Sequence, residues 1–83
     1  MRKLTPIEQF IIERVKQIRL AKGISQDKLS TMMGLNEKFI SKVETPNRAE
    51  KYNINHLNKI AEVLDCSVKD FLPDGFMPSD LKE

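Results

Sequence analysis

Residues 26–45, QDKLSTMMGLNEKFISKVET, constrain the fold more than any other stretch, because they set two short amphipathic patterns on either side of a single glycine. Ser25 is a good N-cap, typically stabilising by about 1 kcal/mol over alanine. Leu29, Met32 and Met33 follow it at helical spacing, and Gly34 ends that segment. Asn36 is a second N-cap, after which Phe39, Ile40 and Val43 mark another helix running to about Glu44. Two helices that cross steeply over a tight turn need a small residue where their backbones approach and a flexible one at the turn. Ser30 and Gly34 fill those places, and Leu29, Met33, Leu35, Ile40 and Val43 are the side chains expected to pin the pair onto the rest of the chain.

The flanks are also helical. Thr5, Pro6 and Glu8 spell a capping box with proline at the first helical position. Ile7, Phe10, Ile11, Val15 and Ile18 then recur three and four apart until Lys22 and Gly23, which predicts a first helix over residues 6–22. Residues 45–53 hold Pro46, Asn47, Asn53 and scattered charges, and read as an exposed loop. Asn53 or Asn55 can cap a fourth helix with the stripe Ile54, Leu57, Ile60, Ala61 and Leu64. Ser67 caps a last short helix carrying Val68, Phe71 and Leu72 before Pro73. No alternation suggests a strand. The expectation is an all-α, compact five-helix domain spanning residues 1–83, with its core over 6–72 and a polar C-terminal tail over 73–83.

Eighty-three residues suit one domain, and its core must be idealised: the lone Cys66 excludes a disulfide, and no Cys/His cluster offers a structural metal site. The net charge of +2 says little, but its distribution says more. Residues 1–22 carry six basic and two acidic side chains, whereas residues 53–83 carry three and six. A single cysteine without a cleavable signal pattern suits a reducing cytoplasm. No apolar run approaches the roughly 20 residues that span a bilayer, so no membrane location is expected.

The segment 26–45 resembles the helix-turn-helix family of phage repressors, Cro proteins and their XRE-like bacterial relatives. The likeness extends upstream to IRLAKGISQ, through FISKVE, and downstream to HLNKIAEVLDCSVKDFL, covering roughly residues 11–72. It implies a repressor-like regulator that binds double-stranded DNA, with the second helix of the motif in the major groove. On this chain that helix offers Asn36, Glu37, Lys38, Ser41 and Lys42. Helical geometry points the same way, since holding Leu35, Ile40 and Val43 inward turns positions 37, 38, 41 and 42 out together. Lysine can donate to guanine, glutamate can accept from cytosine, and serine can do either. Gln26 and Asn36 stand at helix N-termini, where a phosphate is favoured, and the resemblance also assigns Gln26 a phosphate contact. It further implies that Arg19 and Glu44 form a structural pair between the first helix and the end of the reading helix. Homodimerisation on a palindromic site is the family's habit.

Plainer readings stand beside these. A charged helix face is usually just solvated, and it is the glycine-turn context that shifts this one toward DNA. Arg48 and Lys51 fit phosphate contacts, although two basic residues in an exposed loop are ordinary. Phe39 reads as core edge rather than as a thymine contact, and Met32 and Met33 as gap fillers. His56 shows no partner for catalysis or metal, and Cys66 reads as a small buried hydrophobe. Without a phosphate loop, an activated nucleophile or an acidic cluster, no enzyme and no cofactor are expected. The rival class is a protein-interaction module, such as an antitoxin covering a toxin; Lys38 and Lys42 favour DNA over it. Two departures from the family pattern stand out. Pro46 occupies a position where glycine is common, which weakens a backbone phosphate contact there, and Asp65 ends the fourth helix where glycine is frequent.

Overall fold

The structure is a computed structural model, described for residues 4–47 and 50–79. Its described residues form four α-helices and one 3-10 turn: α1 Pro6–Ala21, α2 Gln26–Met32, α3 Phe39–Glu44, α4 Ile54–Leu64, and the 3-10 turn Val68–Phe71. The all-α class holds, but the fifth expected helix is only that turn. Four residues separate the Ser67 cap from Leu72, whose backbone is extended (φ −103°, ψ 150°) ahead of Pro73. A residue before proline is pushed out of the α region, so an α-helix has no room to develop.

Local capping explains where the helices start. Thr5 Oγ1 accepts from the Glu8 N–H at 3.3 Å, while Glu8 Oε1 accepts from the Thr5 N–H at 3.0 Å. Ser25 caps α2 through the Lys28 N–H at 3.1 Å, and Asn53, rather than Asn55, caps α4. Three helices finish alike, with a left-handed residue just beyond the end: Gly23 (φ 70°), Gly34 (φ 78°) and Asp65 (φ 55°). At each, the next N–H reaches back five residues, from Ile24 to Arg19 O, Leu35 to Ser30 O and Cys66 to Ala61 O. Asp65 thus adopts the conformation that its place requires. A left-handed non-glycine residue costs on the order of 1–2 kcal/mol, so Asp65→Gly is expected to stabilise the fold by about 1 kcal/mol, as a shift of the urea midpoint without change of slope.

The core brings together Val15, Leu29, Met33, Ile40, Leu57, Ile60, Ala61, Leu64 and Phe71, all buried. Phe71 is fully enclosed although it comes from the short 3-10 turn. The stripe of α1 differs from expectation. Ile12, Val15 and Arg19 form its buried line, Ile11 and Ile18 pack half-buried beside it, and Ile7 lies at the surface. An arginine can take an inward position only with its charge matched, and Arg19 finds that match on α3. Ile54 is 68% exposed because it opens α4 a turn before Leu57, the first residue of that helix to meet the core. Leu35, expected to face inward, is exposed in the turn after Gly34, and Cys66 is only half-buried.

Candidate functional site

The α2–α3 pair is joined at the point where its backbones approach. Ser30 is fully buried; its Oγ donates to Gln26 O at 3.0 Å and accepts from the Ile40 N–H at 2.9 Å. The small residue expected here therefore does more than leave space. In an α-helix beginning at Asn36, the Ile40 N–H would return to Asn36 O; Ser30 takes it instead. The Phe39 N–H closes a tighter turn on Asn36 O at 2.9 Å, and Asn36 Oδ1 accepts from the Lys38 N–H at 2.8 Å. Asn36 thus caps a turn, and α3 itself begins at Phe39, later than the sequence suggests.

On α3, Ile40 and Val43 are completely enclosed, which turns the rest of the segment outward. Asn36, Glu37, Lys38 and Lys42 are exposed and Ser41 is half-buried. Lys38 Nζ lies 3.6 Å from Asp27 Oδ2 at the start of α2, with both side chains more than half exposed. A pair this open is worth little and leaves the ammonium free to exchange partners. Ser41 Oγ donates to Lys38 O at 3.0 Å. With its proton turned to the helix, its lone pairs are the groups left for a ligand.

The orientation of α3 is set by a buried carboxylate. Glu44 accepts from Arg19 Nη2 at 2.8 Å and from Arg19 Nε at 3.1 Å, and the two side chains are 2% and 5% exposed. Gln26 Nε2 adds a third donor to Glu44 at 2.8 Å, and Arg19 Nη1 also donates to Ile24 O at 2.9 Å. One carboxylate therefore ties α1, α2 and α3 together. Gln26, singled out for a phosphate, spends one side-chain proton on this brace.

The loop before α4 is anchored differently from expectation. Lys51 Nζ sits 2.6 Å from Glu8 Oε2. That hydrogen bond, then the Thr5 N–H, holds the Glu8 carboxyl below its usual range. Arg48 lies outside the described residues. Asn47 takes a left-handed backbone (φ 66°), so the positive φ that Pro46 cannot supply appears one residue later. His56, which showed no partner in the sequence, has three: Asn53, Phe39 and Tyr52. Its Nδ1 accepts from the Asn53 N–H at 3.0 Å, and its ring lies 4.6 Å from that of Phe39, centroid to centroid. Tyr52 completes the group, 6.1 Å from Phe39. The Asn53-x-x-His56 spacing was the available signal, matching an N-cap with an acceptor three residues on.

Among the described residues no group of three or more His, Cys, Asp or Glu could hold a metal ion, and no helix is long and apolar enough to cross a membrane. A family model described as the Cro/C1-type HTH DNA-binding domain matches residues 14–74. Among solved structures, the restriction-modification controller protein C.AhdI from Aeromonas hydrophila is similar at 27% identity and a TM-score of 0.64, over 76% of this chain and 92% of that one. A hypothetical transcription factor, NHTF, from Neisseria shares the fold, with 24% identity, a TM-score of 0.68, and coverage of 86% and 84%. No curated protein matches the chain significantly in sequence.

Proposed function

We propose, on the premise that the chain belongs to the Cro/C1-type helix-turn-helix DNA-binding domain family, that it regulates transcription as a sequence-specific repressor reading the major groove with the 36–42 segment and α3. The observation that carries this reading is the division of that segment. One side, Ile40 and Val43, is sealed in the core, while Glu37 and Lys38 in the turn leading into α3 and Lys42 on α3 itself are exposed, and Glu44 braces the end of that helix. A segment with a polar, mixed-charge outer face has the chemistry for base edges: lysine to guanine, glutamate to cytosine. Ser41, accepting through its free lone pairs, suits the amino group of cytosine or adenine. Asn36, Gln26, Arg48 and Lys51 belong to the flanking phosphate contacts. One such domain spans few base pairs, so the working form is a homodimer on a palindromic site.

Selection of bound sequences from random duplexes tests the proposal directly. Two half-sites at a fixed spacing of about one helical turn are expected, and recovery of no preferred sequence would sink it. On the selected duplex, Lys38→Ala should lose about 1–3 kcal/mol of binding and little on a scrambled one, the signature of a base contact. Lys51→Ala should weaken both duplexes by one factor, as a contact to the backbone does. If Lys38→Ala also lowers both equally, the 36–42 segment holds the backbone without reading it.

A further inference from the structure

Phe39 is the first residue of α3, and α3 has no side-chain cap of its own. Its ring is half-buried, and the aromatic rings around it come from the loop and from α4: Tyr52 at 6.1 Å and His56 at 4.6 Å. His56 is in turn fixed by the capping box of α4. The Asn53 N–H donates to His56 Nδ1 at 3.0 Å, while the His56 N–H donates to Asn53 Oδ1 at 2.8 Å. A ring nitrogen that accepts a hydrogen bond must be unprotonated. The contact against which the reading helix begins is therefore built on a neutral imidazole.

We propose that His56 is a positioning residue for the reading helix: its neutral ring, held by Asn53 and laid against Phe39, fixes the start of α3, and protonation releases it. The inference rests on the groove-reading role of α3 given above. Protonation places an N–H against the Asn53 N–H, donor facing donor, and adds positive charge at the N-terminal end of α4, where the helix dipole already disfavours it. Both effects open the capping box, and a ring that leaves Asn53 loses its orientation against Phe39.

The charged and titratable groups on the surrounding elements do not offset this. Lys42 on α3, Lys51 in the loop and Lys59 on α4 are all cationic; Lys51 is held by Glu8 and Lys59 by Glu62. The loop also carries Glu50 and Tyr52, and burial alone, not a neighbouring charge, is the cause that moves the ring's pKa. Burial of the ring pushes its pKa below the ordinary 6.5. The folded chain thus favours the neutral form. The stability that form adds is fully present above pH 6.5 and is lost as the pH falls from there toward the lowered folded-state value.

The test uses the full chain and two variants. His56→Gln keeps an acceptor at the third helical position and removes the titration, because glutamine serves in a capping box. His56→Phe keeps a ring and removes the acceptor. In an NMR titration from pH 8 to 5, the amides of residues 39–44 should move with the His56 ring in the wild type and stay still in His56→Gln. Amides that ignore the ring's titration would overturn the coupling, whether or not the chain reads DNA. At fixed salt, wild-type affinity for the selected duplex should fall in acid, by at most tenfold per pH unit for one proton. His56→Gln should be flat, and His56→Phe should show the weakened affinity at every pH. Affinity that rises in acid would mean that His56 touches phosphate instead, and would equally refute the positioning role. A wild type that binds no duplex at any pH would count against the groove-reading function, leaving the amide titration to decide the coupling.

Discussion

Glu44→Ala is expected to lower the stability of the folded chain by about 3–5 kcal/mol, the usual cost of stranding one member of a buried ion pair. The size follows from the surroundings. Arg19 is 4% exposed, and without Glu44 its Nε and Nη2 lose both carboxylate oxygens, leaving the Ile24 carbonyl as its remaining acceptor. Gln26 loses its partner as well. Thermal unfolding should register this as a fall of well over 10 °C, at roughly 4–8 °C per kcal/mol for a domain of this size. An unchanged melting temperature would show that the pair braces nothing. The double substitution of Arg19→Met with Glu44→Leu should cost less than either single change, because an apolar pair leaves no charge stranded. Even where it folds well, the double variant should bind all duplexes more weakly, since an apolar contact does not fix the direction of α3 as three hydrogen bonds do.

Ser30→Val should cost about 3 kcal/mol, from two sources of similar size. The buried Ile40 N–H loses its acceptor, worth about 1–3 kcal/mol. The extra carbon bulk enters a fully enclosed site between two backbones, and overpacking typically costs another 1–3 kcal/mol. Ser30→Ala separates the two, because it removes the hydroxyl without adding volume. Denaturant unfolding gives the totals, and hydrogen exchange locates the cause. The Ile40 amide should exchange faster in Ser30→Ala relative to its neighbours in α3. If Ser30→Ala proves neutral while Ser30→Val is severe, space rather than the hydrogen bond is what the position supplies.

How much of this was legible in the sequence follows from the range over which each interaction acts. The caps at Thr5, Ser25, Asn53 and Ser67 reach two or three residues, and all were readable from local spacing. The glycine turn after α2 was readable for the same reason. Ser30 was legible as a small residue but not as a hydrogen-bonding one, because its partner lies ten residues away on a different helix. The Arg19–Glu44 pair spans 25 residues and could be anticipated only through the family resemblance. Gln26 joining the same carboxylate had no local signal. The rotation of α1 has a related cause: hydropathy alone keeps an arginine out of the core, and only the distant glutamate brings Arg19 in and Ile12 with it. Lys51 read as a free loop cation because nothing nearby in sequence announces Glu8 as its partner.

The two attachments of α3 to α2 carry a consequence for how such a protein can change its target. A six-residue helix has no stability of its own in water. Here it is latched near its beginning by Ser30 and at its end by Gln26 through Glu44, and both latches use residues other than the outward ones. Glu37 and Lys42 form no ion pair among the described residues, and Lys38 has only its loose surface contact with Asp27. The residues that hold the helix and those proposed to read DNA are thus separate. Positions 37, 38 and 42 can be exchanged as a set, within the helix-forming amino acids, while the folding free energy stays nearly constant. On the proposed groove-reading role, new operator preferences would then be open to this chain through few substitutions.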